Sequence, residues 1–144
     1  MKTSEFINIV KEIPTPEEVE VFSLFMNLNE EYYVEPVREV IVKRGGYTLL
    51  LATDNPQKAA TVNSISHKPA NMTLADCMDM LLELSQKNEL LCHDVSGSGL
   101  WEDVATSTPV SEAKVAHLFF DEKGKRLFIT NDVYLPKVLN NQIC

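Results

Sequence analysis

Two runs rich in β-branched and aliphatic residues, Val37 to Lys43 and Tyr47 to Ala52, flank Arg44-Gly45-Gly46. Paired glycines accept the positive φ of primed turns at no steric cost, so this stretch predicts an antiparallel hairpin. A hairpin needs further strands or a covering helix to bury one face, so its neighbours must supply a sheet and a layer over it.

They do so unevenly. Ala60 to Ile65, Leu90 to His93, Trp101 to Ala105, Val115 to Phe120 and Arg126 to Thr130 read as further strands. The last two are joined by Asp121-Glu122-Lys123-Gly124-Lys125, where the glycine is available for a left-handed position. Before the hairpin, Phe6, Ile9, Val10 and Ile13 mark one stripe of a short helix, capped by Thr3 or Ser4 and ended by Pro14. Thr15-Pro16-Glu17-Glu18 then carries a helix-start pattern. It has threonine at the cap, proline at the first position and an acid at the third. This predicts a second helix burying Val19, Phe22, Met26 and Phe25, with a strand as the rival because Glu18 to Leu24 partly alternates. Thr73, with Asp76 three residues on, opens a further helix to about Gln86, burying Leu74, Met78, Leu81 and Leu82, with Cys77 on the same side. Val133 to Leu139 reads as a helical turn.

Runs of strands without strict βα alternation predict an α+β fold, a mainly antiparallel sheet with two or three helices on one face. The 144 residues show no linker or repeat and suit a single domain over 1–144. No apolar run approaches the roughly 18 residues that span a bilayer, and Met1-Lys2-Thr3-Ser4-Glu5-Phe6 lacks a signal-peptide core. Cys77, Cys92 and Cys144 are odd in number and scattered, which speaks against a secreted disulfide framework and for reduced thiols in a cytoplasmic protein.

Thirteen Lys and Arg against 21 Asp and Glu give a net charge of −8. Phosphate binding rests on released cationic counterions, so direct nucleic-acid and anionic-membrane partners are disfavoured. The electrostatic complement is a protein with a basic surface.

No arrangement of residues amounts to a catalytic set. Ser96-Gly97-Ser98-Gly99 lacks the lysine of a P-loop and the spacing of a dinucleotide site. Cys92 and His93 are adjacent, which on a strand sends them to opposite faces; His67 or His117 would have to serve as base. Cys77, His93 and His117 lack metal-ligand spacing, so neither a metal nor another cofactor is expected. Glu112-Ala113-Lys114, with Asp94 or Asp103 upstream, matches the outline of a metal-dependent nuclease core, although Pro109 suggests that the segment begins a helix.

Met1 to Ile7, followed by Val40-Ile41-Val42-Lys43-Arg44-Gly45-Gly46-Tyr47-Thr48-Leu49-Leu50, resembles small acidic accessory and anti-defence proteins of Gram-positive phages and mobile elements. The resemblance extends over about the first ninety residues. It implies a non-enzymatic inhibitor or host-interaction factor that occupies a cationic surface. It carries over no functional residue.

The leading expectation is therefore a binding protein with an acidic face, its candidate residues being Glu17, Glu18, Glu20, Glu30, Glu31 and Trp101. The alternatives are a small-molecule or nucleotide pocket near Trp101, rimmed by Asp54 to Lys58 and Ser96 to Trp101, and a metal-dependent hydrolase or nuclease using Glu112 and Lys114.

Overall fold

A computed structural model describes residues 1–26, 32–43, 45–52, 57–58, 72–94, 101–103, 108–110 and 112–130. Helix α1 spans Thr3–Val10 and buries Phe6, Ile7 and Val10. The expected stripe is corrected: the buried arc is set by positions 3, 6, 7 and 10, so Ile9 falls to its flank at 42% exposure, and Ile13 lies beyond the helix end. The cap of α1 is Lys2, one residue before the position expected. The Glu5 carboxylate accepts the Lys2 backbone N–H at 3.1 Å. Thr3 is drawn inward instead, its hydroxyl donating to the Asn88 carbonyl at 3.1 Å.

The second expected helix is a correction. Only Pro16–Glu18 turns, as a single 3₁₀ turn, and the chain then runs straight as β1, Glu20–Met26. The capping pattern does not take hold because Thr15 sits in the left-handed region at φ 49°, with no cap hydrogen bond from its side chain. The strand lacks clean alternation because both its faces are covered. Val21 is 0% exposed toward the main core, and Phe22 and Leu24 are 2% and 0% exposed on the other side. A strand buried on both faces reads as one apolar run, and short runs of that kind fit a helix equally well.

Strand β2 covers Tyr32–Lys43 and β3 covers Tyr47–Ala52. They pair antiparallel from Lys43↔Tyr47 to Val37↔Ala52, across Gly45 and Gly46 at φ 87° and 81°. The hairpin is as expected. Its register slips between Val37 and Glu39, a bulge that divides β2. The first half pairs with β1 and with β4, Gln57–Lys58, and the second half pairs with β3.

The remaining strands are β5 (Glu89–Asp94), β6 (Trp101–Asp103), β7 (Thr108–Val110), β8 (Glu112–Lys114), β9 (His117–Asp121) and β10 (Arg126–Thr130). The main sheet runs β8-β5-β3-β2-β1-β10-β9, with β4 beside β2, while β6 and β7 pair separately. Two junctions, β1 with β10 and β3 with β5, are parallel, and the others are antiparallel. The fold class is α+β, with a mixed sheet that is mainly antiparallel.

The sheet curls back on itself. Its two outermost strands are consecutive in the chain, joined only by Val115 and Ala116, so their near ends lie within about 11 Å. Val115 N–H donates to Leu90 of β5 and Ala116 N–H to Thr130 of β10, which ties the two edges together. Ser23 of β1 faces Cys92 of β5 across the interior, although two strands separate them within the sheet.

Helix α2, Leu74–Leu82, is shorter than expected. The Thr73 hydroxyl caps it, accepting Asp76 N–H at 3.2 Å. Leu74, Cys77 and Leu81 are buried and Met78 is partly buried. Leu82 is 51% exposed, a correction: the buried arc is set by positions 74, 77 and 81, and Leu82 falls to its flank where the helix ends. Both helices share one core with Val21, Leu50, Leu90, Leu127 and Ile129, which places them on one face of the sheet. On the opposite face, Phe22 and Phe128 stack at 5.7 Å.

Candidate functional site

The expected acidic residues separate into distinct environments. Glu17 and Glu18 are exposed on the 3₁₀ turn, and Glu20 is half-buried where β1 begins beside Arg126 of β10. Glu18 is engaged within the fold: Lys125 hydrogen-bonds and pairs with it, and with the Thr15 side chain holds its carboxyl below the usual carboxylate range. Glu30 and Glu31 lie outside the described residues, as does the side chain of Trp101. The backbone of Trp101 belongs to β6, which lies against β1 and β8.

The sequence reading looked only at the buried face of α2 and missed its solvent face. Asp76, Asp79, Met80 and Glu83 are all exposed and recur at i, i+3, i+4 and i+7, so they form one stripe. The 3₁₀ turn packs against α2, and the Leu74 N–H donates to the Val19 carbonyl at 2.7 Å where the two join. Glu17 is exposed on that neighbouring turn. Met80, 43% exposed, sits within the α2 stripe, and Leu82 lies on its border. The spacing of the three acids was readable from the sequence, given the helix.

The candidates for chemistry sit elsewhere. Cys77 and Cys92 are free thiols at 0% exposure. Burial, and the Asp76 charge, push Cys77 up from 9.0 to about 12. Burial pushes Cys92 higher still, with the Ser23 hydroxyl acting in the opposite direction. Such thiols carry almost no thiolate at neutral pH and are poor nucleophiles. Glu112-Ala113-Lys114 is strand β8 and not the expected helix start, because it completes the sheet edge on β5. Lys114 reaches Glu89 at 3.6 Å. Asp94 and Asp103 have side chains outside the described residues, as does the whole of Ser96 to Gly99. So do the strand expected at Ala60 to Ile65 and the turn at Val133 to Leu139. No helix is long and apolar enough to cross a membrane among the described residues.

Scans against protein-family models, curated proteins and solved structures find nothing that matches this chain.

Proposed function

We propose that the protein is a non-enzymatic binding protein, an inhibitor or host-interaction factor that docks an acidic helical face on a basic partner protein. The observation that carries this reading is the α2 stripe of Asp76, Asp79 and Glu83 around exposed Met80, with Glu17 exposed on the turn packed against that helix. Interfaces with large energies combine a desolvated apolar anchor with a charged rim. Met80 supplies a flexible anchor, and the acids supply long-range attraction that accelerates encounter. Lys125 takes Glu18 out of this role, so Glu17 is the acid on the 3₁₀ turn left to engage a partner.

The test is affinity capture of the partner from the native cell, followed by association kinetics. Reversing Glu17, Asp76, Asp79 and Glu83 to Lys leaves the fold intact, because exposed charges contribute little to stability. At low salt it slows association by roughly tenfold or more, and the difference closes as salt rises. Equal rates for the two proteins, insensitive to salt, would reject the reading.

A further inference from the structure

We infer that helix α2 enters a cleft of its partner protein, with a cationic floor under its acidic crest and an apolar wall on each side. This docking mode rests on the proposed function and sharpens it. The phase of the helix carries the inference. Successive residues turn by about 100° around the axis, and the buried arc is fixed by Leu74, Cys77 and Leu81. Asp76, Asp79 and Glu83 then fall within about 60° of one another on the opposite side. Met80 lies about 40° beyond Asp76 on one flank, and Leu82 about 60° beyond Asp79 on the other. The exposures agree: the three acids are exposed, and Met80 and Leu82 are 43% and 51% exposed.

Among the described residues five large hydrophobic side chains are exposed, and this nine-residue helix carries two of them. Met80 and Leu82 point about 160° apart, so no flat surface reaches both. A plane laid on the carboxylates leaves both apolar shoulders in water. A groove takes the whole ridge. A helix with its side chains is about 10–12 Å across, which sets the width, and the rise from Asp76 to Glu83 sets a contact length of about 10 Å. Charge chooses the floor. The crest repels an acidic surface, and carboxylates buried without cations are costly, so the floor presents Lys or Arg. This inverts the usual helix-in-groove arrangement, in which an apolar helix face seeks an apolar floor.

The probe is the partner captured with the wild-type protein, identified and purified. Met80→Ala and Leu82→Ala are measured against it by association and dissociation kinetics, with circular dichroism confirming that each variant folds. Both side chains stand partly in solvent, so truncation leaves the fold standing. Each variant is expected to dissociate roughly tenfold faster, with association and its salt dependence as in wild type, because apolar contacts formed on docking act on dissociation. Met80→Leu, of similar size, keeps the slow dissociation. If reversing Asp76, Asp79 and Glu83 slows association but either alanine variant dissociates like wild type, acidic docking stands and the two-walled cleft is refuted. If charge reversal changes nothing, or no protein is captured, the docking reading falls and the cleft with it.

Discussion

Substituting Gly124 by alanine tests how the turn between β9 and β10 is built. The sequence suggests that this glycine is present to adopt a left-handed φ, yet that position is taken by Lys125 at φ 52°. Gly124 is needed for room. A Cβ there would lie 2.3 Å from Asp121 Oδ2, closer than a real Cβ comes to any atom, and 3.1 Å from Arg126 Nε, a tight contact that a small shift relieves. Asp121 is only 3% exposed, and its Oδ1 accepts the Gly124 N–H at 3.1 Å. Gly124→Ala therefore drives the carboxylate off that N–H. A hydrogen bond to a charged group is worth about 1.5–3 kcal/mol. The alanine returns about 0.4–1 kcal/mol by restricting the unfolded chain. The net loss is about 1–2 kcal/mol, a fall in Tm of about 2–8 °C for a chain of this size. Thermal unfolding followed by circular dichroism measures it. Lys125→Asn, which tolerates left-handed backbone and gives up only the exposed pair with Glu18, serves as the control and shifts the midpoint less than Gly124→Ala. A Gly124→Ala protein that melts with the wild type would show that the carboxylate is not fixed as described.

Two further outcomes can be checked. Leu81→Ala removes a side chain at 0% exposure and costs about 2–5 kcal/mol in urea unfolding, whereas Leu82→Ala, at 51% exposure, costs well under half of that; equal losses would contradict the assigned helix face. Because the folded Cys77 thiol is raised to about 12, the folded state keeps a proton that the unfolded chain releases from about pH 8.5. Stability is fully present below that pH and is lost as pH rises toward the folded value. A urea midpoint that holds steady up to pH 10.5, or native-state alkylation as fast as in urea, would refute the burial of this thiol.

The elements that a local pattern could specify were legible in the sequence. The Gly45-Gly46 hairpin and the Thr73 cap rest on residues within a few positions of one another, and both are found, as is helix α1, although its buried face takes Ile7 in place of the expected Ile9. What was not legible depends on distant partners. Strand β1 looked helical because its second face is covered by Phe128 from the far end of the chain. The parallel pairing of β3 with β5, across the stretch that holds α2, follows from tertiary packing and leaves no mark on either strand. The candidate acidic surface was legible only in part. Glu17 stood out from charge density, while Asp76, Asp79 and Glu83 emerge as a group only once the helix phase is known.

The parallel seam between β1 and β10 bears on how the chain folds as it is made. Residues 20–23 wait for residues 126–129, so about a hundred residues must be synthesised before Val21 and Phe22 find their lasting neighbours. At ribosomal speeds that interval lasts roughly 5–20 s. Contacts so distant in sequence are slow to form and leave apolar strands uncovered meanwhile. A nascent chain that stalls before Arg126 cannot complete the sheet, and it presents β1 to chaperones and proteases as an unfinished surface.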